Sequence, residues 1–341
     1  MSNKIFSTIW LTLFGLAFLV SCGQNNQTQA LSLHGKTMGT SFNIKYFPSE
    51  KTPSVELLLT EVNQALVRIN QLMSTYIPDS ELSRLNKTPA GVEFNLSEET
   101  VFVLNEALRI NKMSEGAFDV TVGPLVNLWG FGPNGRITKQ PSIDLIAQTN
   151  HWVGSDKVQL NEHIVVKLHD KTYIDFSAIA KGYGVDKVAE LLESKGVNSY
   201  LVEIGGELRI NGTKPDGSNW KVAVEKPIID HREAQLIFAP GNMGMATSGD
   251  YRNYFEQNGV RFSHTIDATT GSPITHNLAS VTVLDPSAAR ADAYATTINV
   301  LGAEKGLEFA EKYNIAAYML IKSPSGFEEV ISSGFKPFLS N

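Results

Sequence analysis

The chain is 341 residues long, 42% hydrophobic and 19% charged, with a formal net charge of −6 at neutral pH. Such a composition excludes a disordered or fibrous chain and supports a substantial core, while the acidic balance leaves no basic footprint for nucleic acid. Cys22 is the only cysteine, so no disulfide can form within the chain.

The first element, residues 1–21, has a basic start at Lys4, an apolar run from Ile5 to Val20 and the small Ser21 before Cys22. This is the layout of an export signal, too short for a stable membrane span. Leu19-Val20-Ser21-Cys22 is similar to a bacterial lipobox, which predicts cleavage before Cys22 and lipidation of its thiol; the plainer alternative is a signal with a chance cysteine. The chain is therefore expected to be exported and lipid-anchored to a bacterial membrane, facing the periplasm. Residues 22–32 then form the lipidated cysteine and a polar tether, and 33–341 one large domain.

Within that domain, "SFNIKYF" alternates apolar and polar residues as a half-buried strand does. Pro53 and Ser54 open a helix with Leu58, Val62, Leu66, Ile69 and Leu72 on one face. A second helix begins at the cap-like Ser97 and ends near Gly116, and "HIVVKLHDKTYIDF" reads as two short strands about a polar turn at 169–171. A third helix covers Ala178 to Lys195, stopped by Gly196. Short strands follow at 200–204, 208–210, 221–224, 235–238, 244–247, 264–267 and 279–284. A helix over 291–302, a companion over 303–313, and strands at 316–321 and 328–331 complete the chain. Adjacent strands joined by turns favour an α+β fold of mostly antiparallel sheets packed with helices over a doubly wound parallel sheet.

Polar and glycine-rich residues gather in "KTMGTSF" (36–42), "MSTYIPDSELSRLN" (73–86), "GAFDVTVGPLVNLWGFGP" (116–133), "DFSAIAKGYGVDK" (175–187), the stretch 247–273 and "ADAYATTINVLG" (291–302). Lys181 beside glycines at a helix start suits a phosphate, or is a solvated lysine at a tight turn. Asp292 and Thr296, four apart, share one helix face; they suit a hard cation such as magnesium, or are a late cap and a back-bonded hydroxyl. His264 is the natural side chain for taking a hydroxyl proton, or a structural histidine beside a strand, and Asp267 equally heads a β-turn. Gly205-Gly206-Glu207 is most simply a bulge or a tight approach between strands. No Walker A loop, Rossmann glycine pattern or zinc spacing is present.

Taken together and in order, "TMGTSF", "MSTY…SELSRLN", "GAFDVTVGPLVNLWGFG", "DFSAIAKGYGVDK", "IGGELRINGT", "TSGDY", "SHTIDATTGSP" and "ADAYATTINVLG" make the chain resemble the ApbE family, the FAD:protein FMN transferases, from about residue 36 to 322. The resemblance implies an ApbE-like fold and a Mg2+-dependent reaction. FAD is cleaved, its FMN half is attached by a phosphoester to a threonine of a target protein in an electron-transfer complex, and AMP leaves. It assigns Asp292, Thr296 and the carbonyl oxygens of Ala178 and Ala295 to the metal, with the small helix residues admitting the pyrophosphate. It assigns Met38, Tyr76, Ala117, Phe118, Asp119, Lys181, Thr265 and Ile266 to FAD, His264 to the base and Asp267 to its orientation. Glu207 stands where many relatives carry aspartate or another polar residue, which puts any direct role for it in doubt. The alternatives are an FAD-binding lipoprotein that carries flavin without transferring it, and an FAD pyrophosphatase giving FMN and AMP.

Overall fold

The computed structural model describes residues 29–133, 135, 137, 139–228, 231, 233–249, 254–257 and 260–340; the expected signal, Cys22 and most of the tether lie outside them, as do Asp250 and Tyr251. Eight strands form one antiparallel sheet whose order in space is its order in the chain. They are β1 (Leu31–Thr37), β2 (Thr40–Phe47), β3 (Ser199–Ile204), β4 (Glu207–Asn211), β5 (Gly244–Gly249), β6 (Leu278–Asp285), β7 (Ala316–Ser323) and β8 (Gly326–Ile331). The expected α+β architecture is the observed one. Two tether residues belong elsewhere: Leu31 and Ser32 already pair with Tyr46 and Lys45 in the first ladder.

Helices enter as excursions from this meander. Four matter for the site: α1 (Val55–Met73), α2 (Glu98–Met113), α3 (Ala180–Ser194) and α4 (Ala288–Lys312). Ser54 and Ser97 cap α1 and α2 by accepting from backbone N–H groups three residues on, as the sequence predicts. α4 breaks at Gly302 (φ 78°, ψ −176°), which is where the sequence divides one helix from its companion. Helices α1 and α3 cover β1–β3 through Leu58, Val62, Leu66, Val185, Val188 and Leu192. Helix α4 covers β5 and β6, and a third apolar cluster built around Trp220, Phe238, Tyr318 and Phe335 fills the opposite face. Strand β6 is thus buried on both faces, along all of its length but the last residue.

The second strand expected around residues 172–176 does not form. Tyr173 makes one isolated bridge to Val122. Ile174 is held instead by a side chain: its N–H donates to Asn86 Oδ1 at 2.7 Å, and its carbonyl accepts from Asn86 Nδ2 at 2.8 Å. An amide that meets both backbone groups removes the need for a partner strand.

Helices α3 and α4 cross at van der Waals contact. A Cβ at Gly182 would lie 2.2 Å from the Ala288 carbonyl oxygen, and one at Gly244 of β5 would lie 2.5 Å from the Ala288 nitrogen. One turn along α3, Asp186 caps α4 from the side. Its Oδ1 accepts from Ala288 N and Arg209 Nη1, both at 3.0 Å; its Oδ2 accepts from Ala289 N at 3.0 Å and Ser287 Oγ at 2.7 Å. A carboxylate on the otherwise unpaired N–H groups of a helix start satisfies donors and opposes the helix dipole.

Asp186→Ala is expected to cost about 2–4 kcal/mol, because it strands buried donors and the Arg209 charge. Glu190→Ala, on the exposed side of the same helix, should stay within about 0.5 kcal/mol. Urea unfolding of both variants checks this; equal effects would contradict the capping role.

Candidate active site

The crossing delivers one face of α4 to the start of α3. Asp292, Thr296 and Val300, spaced by four, line a cleft of about 990 Å³, a volume at the upper end of the range for small-molecule sites. Asp292 is 3% exposed, and its Oδ2 accepts from Gly182 N at 3.1 Å. Lys181, next to that glycine, places Nζ 3.7 Å from Asp292 Oδ1 and 2.6 Å from Glu207 Oε1. Thr296 Oγ1 lies 3.3 Å from Ser248 Oγ of β5.

Two carboxylates here face one ammonium. Burial pushes the Glu207 carboxyl up to about 7 against the pull of Lys181, and Asp292 repels it further. Asp292 is raised for the same first reason, with the ammonium opposing. Burial works against the Lys181 charge, yet the two carboxylates outweigh it and hold the ammonium above its ordinary range. Glu207 Oε2 is buried with no hydrogen-bond partner among the described residues. Two buried carboxylates thus share one ammonium.

Glu207 is the main site residue that sequence reasoning leaves out. Gly205 (φ 61°) and Gly206 (φ 106°) form a two-residue hairpin turn between Ile204 and Glu207, so of the two expected forms the strands make a tight approach and not a bulge. A glycine pair between alternating apolar runs is the signature of such a turn, and it would have placed Glu207 at the first position of a strand. Ser248 and Asp175 also line the cleft; the Asp175 carboxylate accepts from the backbone and the hydroxyl of Ser177, shaping the turn that carries Ala178 into α3.

Of the residues assigned to FAD, Tyr76, Ala117, Phe118, Asp119, Lys181, Thr265 and Ile266 all line the cleft. Tyr76 is 66% exposed, with its hydroxyl donating to the Phe131 carbonyl at 3.4 Å, so it is an aromatic lip and not a core residue. Ala117 and Phe118 are buried in the wall, where Asn111 Nδ2 donates to the Phe118 carbonyl at 2.8 Å. Asp119 Oδ1 accepts from Thr121 N and Oγ1 at 2.7 and 2.6 Å; burial raises its carboxyl, with those hydrogen bonds opposing. His264 reaches the cleft from the segment after the strand Val260–Ser263, its ring edge-on to Phe131 at 6.4 Å between centroids.

Three expected residues do not line the cleft. Met38 packs against the two core clusters, with its ε-methyl under Gly184 of α3. Asp267 is held within its own turn: its Oδ1 accepts from Thr269 N and Oγ1 at 2.8 and 2.7 Å, and its carbonyl from Gly271 N at 2.8 Å. It heads the β-turn that its local sequence also allows. Ala295 is fully buried beside Ala291 and Ala293, and these small residues fit α4 into the core. The expected metal residues Asp292, Thr296 and Ala178 do meet in the cleft. Among the described residues no three His, Cys, Asp or Glu side chains cluster as a metal site, so a cation in this cleft needs hydroxyl and carbonyl oxygens beside Asp292.

The sequence model of the ApbE family matches residues 38–319. The FAD:protein FMN transferase of Vibrio cholerae is 46% identical over 331 residues, 97% of this chain and 99% of the relative. That of Haemophilus influenzae is 46% identical over 341 residues, 98% of each. Among solved structures, the flavin transferase ApbE from Vibrio cholerae is similar with a TM-score of 0.86 at 46% identity, covering 91% of this chain and 99% of that one. Apo flavinyl transferase ApbE from Pseudomonas stutzeri is similar with a TM-score of 0.84 at 40% identity, covering 92% and 98%. With a family match over most of its length and relatives nearly half identical from end to end, this chain belongs to the ApbE family.

Proposed function

We propose that this chain is an FAD:protein FMN transferase. A threonine hydroxyl of the acceptor protein attacks the phosphorus on the FMN side of the FAD pyrophosphate; the bond to the AMP phosphate breaks, and AMP leaves. The hydroxyl proton passes to the base. The reading is carried by one juxtaposition: a histidine, a lysine and an Asp-Thr pair from distant parts of the chain line the same cleft.

His264 suits the base, since a neutral imidazole accepts the threonine proton near physiological pH. Lys181 carries three N–H groups, two of them directed by its carboxylate partners, and presents its charge to a phosphate oxygen. Tyr76 offers an exposed aromatic face for a flavin or adenine ring. The two carboxylates on one ammonium, the unpartnered Glu207 Oε2 and the hard oxygens of Asp292, Thr296 and Ala178 fit a divalent cation such as magnesium. Held by those oxygens, such an ion would supply positive charge to offset what builds up as the phosphorus–oxygen bond breaks.

Incubation of the protein with FAD, Mg2+ and a threonine-bearing acceptor should raise the acceptor mass by one FMN and release AMP. Asp292→Ala should abolish the gain, and His264→Ala should slow it by about 10²–10⁴-fold while leaving FAD affinity nearly unchanged. FAD bound but left intact would establish the carrier instead. Free FMN and AMP without labelling would establish the pyrophosphatase.

We also infer that the chain is exported and anchored through a lipid on Cys22, which places the acceptor in a membrane complex on the same side. Cys22→Ser should move the protein from the membrane to the soluble fraction. Retention of that variant in the membrane would contradict the lipid anchor.

A further inference from the structure

One turn beyond Thr296, helix α4 carries a polar residue in a core position. Asn299 is 1% exposed, its Nδ2 donates to Thr265 Oγ1 at 3.2 Å, and its Oδ1 is buried with no hydrogen-bond partner among the described residues. An unmet buried acceptor is destabilising, so a leucine of nearly the same size would suit the site better as plain packing. The backbone at Asn299 is held as well. His276 Nε2 lies 2.7 Å from the Asn299 carbonyl, and because a carbonyl only accepts, that nitrogen carries the proton. The imidazole fits there because α4 breaks at Gly302, where a Cβ would lie 2.9 Å from His276 Cδ2.

Thr265, the recipient of the Asn299 amide, is the residue next to His264. Its own N–H donates to Ser263 Oγ at 3.1 Å, and its carbonyl accepts from Ile274 N at 3.1 Å. These local bonds shape the segment, and the Asn299 contact ties it to the helix that bears Asp292 and Thr296. We propose that Asn299 is a positioning residue that sets the His264 segment in register with the Asp292–Thr296 face of α4. The proposal rests on the transferase reading above. If the base and the phosphate-binding face ride on separate elements, a displacement of about 1 Å between them costs on the order of 10²-fold in rate. A side-chain bond across the gap is a direct means of preventing it.

The test is a double-mutant cycle on single-turnover FMN transfer, with FAD affinity and thermal stability measured for each variant. Asn299→Leu should slow transfer by about 10–100-fold, with FAD affinity within about threefold and a melting temperature no lower than wild type, since it removes an unmet acceptor. Thr265→Val, which breaks the same bond from the other side, should give a comparable rate loss that does not add to that of Asn299→Leu. In a His264→Ala background, Asn299→Leu should have almost no further effect, because its action runs through His264. Equal slowing in both backgrounds, or a fall in stability matching the fall in rate, would overturn the positioning role and leave the transferase reading standing. Absence of transfer by the wild-type protein would overturn both.

Discussion

Everything in the cleft depends on how closely α3 and α4 cross. Gly182 and Ala288 meet with no room for a side chain, and Asp186 locks the contact by capping α4 from α3. Two consequences follow from that one contact. The N–H of Gly182 faces the carboxylate of Asp292, and the neighbouring Lys181 is delivered between Asp292 and Glu207. A larger residue at position 182 would separate the helices and, with them, the charges.

The meander does the complementary work. Because neighbours in the chain are neighbours in the sheet, each excursion returns to the same edge of the site: β3–β4 with Glu207, β5 with Ser248, and β6 with the helix that bears Asp292. The resulting cluster holds two buried carboxylates to one ammonium, which is a costly arrangement for a protein on its own and a sensible one for a protein that binds a cation with an anionic ligand. Both carboxylates are pushed upward by burial, a sign of a site that is completed by what it binds.

The parts of the site that could be read from sequence are those fixed by local periodicity. Asp292 and Thr296 share a face because a helix repeats every 3.6 residues; Ser54 and Ser97 cap because of their place before apolar helices; the helix boundary near 302 follows from a glycine. The parts that escaped depend on partners far away in the chain. Glu207 matters only because Lys181 is beside it, Asp186 because Ala288 is, and the expected strand near Tyr173 fails because Asn86 supplies its hydrogen bonds. Asp267 had two local readings, and its hydrogen bonds to Thr269 show the turn. The alanines of α4 also make room for α3 and the sheet.

The central claim is that the α3–α4 crossing builds a cation site on the Asp292–Thr296 face of the cleft. Crystals grown with FAD and Mn2+ test it most directly through the anomalous signal of the metal. The account predicts a peak about 2.0–2.3 Å from an Asp292 carboxylate oxygen and Thr296 Oγ1, next to the ligand's phosphates. FAD bound in the cleft with the metal elsewhere, or with none at all, would contradict it.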